Sequence, residues 1–128
     1  MYFVKFFGGG MALRPFILVL ATVLLAGPLN AQTALVMVEQ DGCAWCAKWN
    51  AEVAPGYAES VEGKVAPLRR IDLHQPVPAE LMLDSPPRVT PTFILVENGN
   101  EVGRIEGYPG ENFFWPMLDA LMDRRENR

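Results

Sequence analysis

The two cysteines of this chain, Cys43 and Cys46, are separated by two residues and lie between a strand-like segment and a helix-like one. Residues 34–39 form an apolar run of strand length. After Ala44, apolar residues recur at four-residue spacing, which predicts an amphipathic helix. We therefore expect Cys43 at the start of that helix, where unpaired backbone N–H groups and the helix dipole favour a thiolate. A thiolate with a second thiol one helical turn away can cycle between dithiol and disulfide.

The remaining sequence predicts an α/β domain in the order strand, helix, strand, connector, hairpin, helix. Pro55-Gly56 is expected to stop the first helix, and a weaker helical or irregular stretch follows it. A strand is predicted at 65–73, followed by a proline-rich connector at 75–87 with one possible helical turn at 79–83. Two further strands, at 92–97 and 101–106, are joined by a hairpin turn at Asn98-Gly99. The last segment is a helix at 111–124, and the apolar residues available for its buried face are Phe114, Leu118, Leu121 and Met122.

Residues 1–31 have the pattern of a secretory signal: a positive start, an apolar core at 16–26 and a small-residue exit. We expect cleavage after Ala31, with Met11 as a second candidate start and an uncleaved membrane anchor as the alternative. The apolar run is shorter than the ~20 residues that span a bilayer. The predicted mature part, 32–128, is a single domain. Removing two of eleven cations leaves nine against fifteen acids, a net charge of −6, which argues against nucleic acid as a partner.

The cysteine pair has two other interpretations. A structural disulfide across two intervening residues constrains the unfolded chain very little, so it would add little stability. A closed zinc site needs about four ligands, whereas the chain offers two cysteines and one histidine, His74, so we expect no metal site. His74 is expected in a surface or turn position. Dithiol chemistry remains the favoured interpretation.

A second motif supports that interpretation and brings in a resemblance. The Thr90-Pro91 dipeptide opens the predicted hairpin, and Gly107 follows its second strand. Together with the Cys-x-x-Cys motif and the Asn98-Gly99 turn, this arrangement resembles the thioredoxin family. The resemblance implies a minimal thioredoxin-like α/β fold, with a central mixed sheet of about four strands flanked by helices. It also implies a cis Thr90-Pro91 peptide bond that faces the dithiol.

Four longer runs, at 49–52, 66–72, 90–93 and 103–110, resemble the SoxS-type periplasmic thioredoxins of bacterial sulfur oxidation. This resemblance implies an exported thiol:disulfide oxidoreductase, periplasmic and monomeric, that reduces a sulfur-carrier protein. Its electrons would come from a membrane thiol transporter, and it would need no cofactor beyond a redox-active Cys43-Cys46 disulfide. Two alternatives are a reductant for cytochrome c maturation and a non-catalytic binding or chaperone module with idle cysteines.

Within this resemblance we assign Cys43 as the attacking thiolate and Cys46 as the resolving thiol. Five residues are expected to border the dithiol and contact the substrate: Trp45, Thr90, Pro91, Gly107 and Tyr108. The backbone before a cis proline pairs with the substrate chain in strand fashion in this fold.

The chain departs from ordinary thioredoxins at its first strand, which lacks the usual preceding strand and helix. Met37 also stands where the family has a buried aspartate that assists proton transfer at the second cysteine. Glu39 lies on the same strand face as Met37 and nearer the dithiol. Our hypothesis is that Glu39 partly replaces that aspartate as proton acceptor for Cys46. The alternative is a solvated carboxylate at the end of a strand.

Overall fold

A computed structural model describes residues 8–10 and 32–128. The predicted signal segment, 1–31, therefore lies outside the described residues except for its three glycines. None of the helices in the described part of the chain has the length and apolar character needed to cross a membrane. The elements are β1 (Thr33–Glu39), α1 (Ala44–Glu52), α2 (Ala54–Tyr57), α3 (Val61–Val65), β2 (Leu68–Asp72), β3 (Thr92–Glu97), β4 (Asn100–Glu106) and α4 (Glu111–Glu126).

The four strands form one mixed sheet in the order β2-β1-β3-β4. β1 runs parallel to β2 and antiparallel to β3, and β3 pairs antiparallel with β4. The sheet and its helices confirm the predicted α/β architecture. The central strands β1 and β3 are buried along most of their length, which explains why their sequences are nearly continuous apolar runs.

One face of the sheet packs against α1, α2 and α4. Trp49 of α1 is fully buried there, with its ring centroid 5.0 Å from that of Phe93 and 5.7 Å from that of Phe114. Aromatic rings at these separations gain stability beyond the area that they bury. Phe114, Leu118 and Leu121 form the buried side of α4, as its helical spacing predicts. This core fixes α1, and with it the dithiol, against the end of β1.

The opposite face of the sheet packs against the proline-rich connector, 75–87. Leu81 and Leu83 of this connector cover a cluster that includes Val36 and Ile94. Met82 also forms a parallel bridge with Asn100 at the start of β4. The connector is thus a covering layer as well as a stiff link, and the expected helical turn at 79–83 was wrong. The chain makes an ordinary turn there, closed by a hydrogen bond from the Leu81 N–H to the Pro78 carbonyl.

Two other predicted boundaries differ from the structure. The first helix ends at Glu52, before Pro55-Gly56, and these two residues lie inside the short helix α2. Proline is tolerated in the first turn of a helix because its missing N–H has no intrahelical acceptor there. The strand predicted at 65–73 begins later, at Leu68, because Val65 ends α3. The Asn98-Gly99 turn is confirmed, with positive φ at both residues.

Candidate active site

The two cysteines form a disulfide at the N-terminus of α1, with their Cα atoms 5.2 Å apart. Cys43 is the N-cap residue, and its Sγ accepts a hydrogen bond from the Cys46 backbone N–H at 3.1 Å. Cys43 is partly exposed, whereas Cys46 is only 4 % exposed and belongs to the core. The outer sulfur is therefore the accessible one, and a helix N-terminus would stabilise its negative charge after reduction.

A cavity of about 520 Å³ lies beside the disulfide and is lined by both cysteines. Its other walls come from the end of β1, the loop that follows it, α1 and the last residue of β2. Three carboxylates, those of Glu39, Asp41 and Asp72, line it together with the amide of Asn50. The cavity therefore combines the buried sulfur of the pair with groups that can accept a proton.

Glu39 lies on this wall, but its carboxylate is paired. Nη1 of Arg70 donates to Oε2 of Glu39 at 2.7 Å, and Nη2 of the same guanidinium donates to Oδ1 of Asn50 at 2.8 Å. The guanidinium also approaches the sulfur of Met37 at 3.4 Å. Arg70 thus joins β2, β1 and α1 behind the dithiol. Glu39 is therefore a partly exposed carboxylate at the end of β1 whose direction is set by its ion pair with Arg70.

Three of the predicted substrate-contacting residues lie together at one end of the sheet. The Thr90-Pro91 peptide bond is cis. The Gly107 N–H donates to the Pro91 carbonyl at 2.7 Å, which ties the two loops together. Gly107 has φ +84°, a backbone conformation that favours glycine. The hydroxyl of Thr90 accepts a 2.7 Å hydrogen bond from the Gln40 side-chain amide, so this end is also tied to the loop before Cys43.

Trp45 lies between the two cysteines in sequence and exposes 56 % of its surface. The ammonium of Lys48 lies 5.3 Å from the centroid of its ring. A cation that lies over the face of an indole ring is attracted to the ring, and this contact restricts the motion of the Trp45 side chain. The large exposed ring next to the sulfur pair is available for contact with a partner protein.

Tyr108, the last of the five residues expected to border the dithiol, belongs to the same core cluster as Cys46. It is only 5 % exposed and packs against Phe114 in the core. Its hydroxyl donates to Oε2 of Glu52, at the end of α1, at 2.7 Å. Burial, followed by this hydrogen bond and the negative charge of Glu52, raises the pKa of the Tyr108 hydroxyl. The side chain therefore links the loop after β4 to α1.

His74 lies in the turn after β2 and is exposed. Its Nε2 is 2.9 Å from Oε1 of Gln40, and its backbone N–H donates to Oδ1 of Asp72. Across residues 8–10 and 32–128, the structure shows no cluster of three or more histidine, cysteine or acidic side chains arranged to hold a metal ion.

Two residues of this site, Arg70 and Gln40, were not predicted from the sequence. Arg70 lies opposite Met37 in the β1–β2 register, so it projects on the same sheet face as Met37 and Glu39. A charged residue on the helix-covered face of a strand was the signal that could have identified it. Gln40 directly follows β1 and precedes the dithiol loop, and its contact with Thr90 spans fifty residues of sequence.

Comparisons with known proteins agree with this geometry. Residues 26–122 match a thioredoxin-like domain. The chain is similar to the periplasmic thioredoxin SoxS from Paracoccus pantotrophus, solved by crystallography in its reduced form, with 48 % sequence identity and a TM-score of 0.72. That similarity covers 73 % of this chain and 98 % of the SoxS chain. Among curated proteins no significant match is found.

The domain match, the similarity to SoxS and the Cys43–Cys46 disulfide identify the protein as a thiol:disulfide oxidoreductase. Its substrates are accordingly thiols and disulfides, and a binding module with idle cysteines does not fit this result. The fold, the redox pair and the matched residues all lead to one family assignment. The chain belongs to the thioredoxin-like family and resembles its SoxS-type periplasmic members.

Proposed function

We propose that this protein is an exported periplasmic reductant that restores the cysteine thiol of a sulfur-carrier protein in thiosulfate or sulfur oxidation. A membrane thiol transporter would return it to the dithiol form. The proposal is supported by the 48 % identity to a periplasmic SoxS thioredoxin. The observation that carries it is the arrangement of an accessible Cys43 at the N-terminus of α1 above a buried Cys46.

The reaction begins with the reduced protein. The Cys43 thiolate attacks one sulfur of a disulfide on the carrier, which forms a Cys43–carrier bond and releases the other sulfur as a thiolate. Cys46 then loses its proton and attacks Sγ of Cys43, which closes the intramolecular disulfide and releases the carrier cysteine as a thiolate. Two electrons pass from the dithiol to the carrier, and both released thiolates can take up protons from water.

Substrate contact is proposed for the residues around the sulfur pair. The exposed Trp45 would cover the mixed disulfide, and the backbone of Thr90, Pro91 and Gly107 would align the carrier segment in an extended conformation. Tyr108 would contribute through its backbone and through its link to α1. Because the mature chain is acidic, a carrier segment that is neutral or basic is favoured.

Proton transfer in the second step is proposed to use Glu39. Cys46 and Glu39 line the same cavity, whereas the family's usual buried position is occupied by Met37. Water in such a polar cavity can relay a proton between groups that do not touch. General base assistance of this kind typically contributes a rate factor of ~10² or more.

The test is to trap the natural partner. A reduced Cys46→Ser protein can form the mixed disulfide at Cys43 but cannot release it, so its partner stays attached on a non-reducing gel. We expect a sulfur-carrier protein from periplasmic extract, and the Cys43→Ser/Cys46→Ser double variant should capture nothing. Capture of an apocytochrome c or its maturation factors would favour the alternative reductant role. Absence of any capture from an extract that contains the carrier would overturn the proposal.

A further inference from the structure

We propose that Arg70 is a positioning residue for the second half of the redox reaction, because it holds the Glu39 carboxylate against the cavity that Cys46 lines. This inference rests on the proposed function, in which Cys46 must lose a proton before it can release the substrate. It assigns a role in the site to a β2 residue that is distant from the dithiol in sequence.

The contacts of Arg70 connect β2, which carries it, to both β1 and α1. One end of its planar guanidinium binds Glu39 on β1, and the other end binds Asn50 on α1. The same group lies 5.8 Å from the centroid of the Trp49 ring. A guanidinium held by two acceptors and an aromatic face has little freedom to reorient. The carboxylate that it binds is held in place with it.

Glu39 needs such a support because of its surroundings. Its side chain is about one third exposed, and a glutamate side chain loses considerable rotamer freedom when it is fixed in one direction. Met37, two residues earlier on the same face, is fully buried and uncharged, so it cannot fix the direction of the Glu39 carboxylate. Arg70 contacts both residues, so it fixes the carboxylate beside the position that the family's aspartate would occupy.

The step concerned is the resolution of the mixed disulfide. The proton of the Cys46 thiol passes to the Glu39 carboxylate, directly or through cavity water, and the Cys46 electron pair forms the new bond to Cys43. The bond between Cys43 and the substrate sulfur breaks, and that sulfur leaves with the electron pair. Arg70 takes no part in bond making. Its removal should therefore slow this step and leave the first attack by Cys43 unchanged.

A chromogenic aromatic disulfide separates the two steps in stopped flow, because each step releases one coloured thiolate. For Arg70→Gln at neutral pH, we expect a normal first phase and a second phase slower by about tenfold. The deficit should shrink above about pH 8.5, where an ordinary thiol ionises without a specific acceptor. Arg70→Lys, which keeps the charge but not the two-ended contact, should lie between Arg70→Gln and the parent.

Arg69→Gln is the matched control. Arg69 is the preceding residue on β2, projects to the opposite sheet face and pairs with the exposed Glu80. The substitution removes the same charge from the same strand without touching the cavity. Both phases of this control should match those of the parent protein.

Further variants distinguish the possible failures. Glu39→Gln should slow the second phase by at least as much as Arg70→Gln does, and adding Arg70→Gln to it should cause no further loss. The cavity also contains Asp41 and Asp72, and if either were the acceptor, Arg70→Gln would leave the second phase unchanged, which would overturn the inference. An additional loss in the double variant would also overturn it. Failure of the proposed function would appear differently, as a parent protein that completes both phases but does not reduce the carrier.

Discussion

The side-chain amide of Gln40 donates a 2.7 Å hydrogen bond to the hydroxyl of Thr90, which joins the residue before the dithiol loop to the residue before the cis proline. The same amide group contacts Nε2 of His74 through its oxygen. The loop that precedes Cys43 and the loop that carries the cis proline are therefore joined by one side chain. Substrate that contacts both loops should depend on this link.

Gln40→Leu keeps the approximate size of the side chain and removes the hydrogen bond. If the backbone at Thr90 aligns protein substrates, kcat/KM for a protein disulfide should fall about tenfold, through a rise in KM. The rate with a small aromatic disulfide should stay within about twofold, because such a substrate does not use the Thr90 backbone. Parallel steady-state assays with the two substrates measure the difference. Equal losses with both would show that Gln40 supports the dithiol itself.

Cys43 should react with alkylating agents at a lower pH than an ordinary thiol. Its sulfur caps α1 and accepts the Cys46 N–H, so the reduced thiolate would meet the positive end of the helix. A pH series of iodoacetamide modification, followed by mass spectrometry of the reduced protein, should give a midpoint below the ~8.5 of a free thiol. Cys46 should resist modification over the same range because it is buried. A Cys43 midpoint equal to that of a free cysteine peptide would contradict the proposed nucleophile.

Much of this site could be predicted because its residues are close in sequence or belong to recognisable motifs. Cys43 and Cys46 identify the start of α1, and Asn98-Gly99 specifies its hairpin by local backbone preference alone. The role of Arg70 depends on the pairing of β1 with β2, which brings residues 33 positions apart into contact. Sequence periodicity places Arg70 on a face of a strand but does not reveal the neighbouring strand.

The packing of the connector could not be predicted from the sequence either. Its prolines correctly indicate a stiff segment, but its function as a cover depends on which sheet face the helices leave open. Likewise, the position of Tyr108 after Gly107 is predictable, whereas the inward direction of its ring depends on Phe114 and Glu52. Side-chain direction in a loop follows from tertiary contacts, and the local sequence does not specify it.

The ion pair between Arg104 and Glu101 lies within β4, and both side chains also form hydrogen bonds with the connector. The two side chains are 13 % and 3 % exposed, and the guanidinium also donates to the Ser85 carbonyl at 2.7 Å. Arg104→Met should lower the free energy of unfolding by about 3–5 kcal/mol, because it leaves the Glu101 carboxylate buried without its partner. Urea denaturation at neutral pH measures this loss. Glu101→Gln/Arg104→Met should be more stable than Arg104→Met alone, and the opposite order would exclude a buried charge as the cause.

The same ion pair gives a pH dependence with a defined sign. Burial opposes the Glu101 charge, but the hydrogen bonds from Arg104 and from the Asp84 N–H outweigh it and lower the pKa of Glu101 below its ordinary value of 4.5. The ionised carboxylate therefore stabilises the folded state above that value, and the contribution disappears as pH falls through the lowered pKa. The stability difference between the parent and Glu101→Gln, followed by urea denaturation, should be constant from pH 7 to about pH 5 and shrink below pH 4.5. A difference that grows on acidification would contradict this assignment.

The hydrogen bond between Tyr108 and Glu52 should stabilise the loop that carries Gly107. Tyr108→Phe removes the hydroxyl and leaves the ring packed on Phe114. We expect a loss of about 1 kcal/mol in the free energy of unfolding, because the partly exposed Glu52 carboxylate can turn to water. The Gly107 N–H, which donates to the Pro91 carbonyl, should exchange with deuterium faster in this variant. Hydrogen exchange measured by NMR reports both the loss of stability and the faster exchange at the Gly107 N–H. Glu52→Gln is a companion variant that retains a hydrogen-bond acceptor, so its Gly107 N–H should exchange more slowly than that of Tyr108→Phe. Unchanged exchange at Gly107 in Tyr108→Phe would mean that the cis-proline contact holds this loop without help from α1.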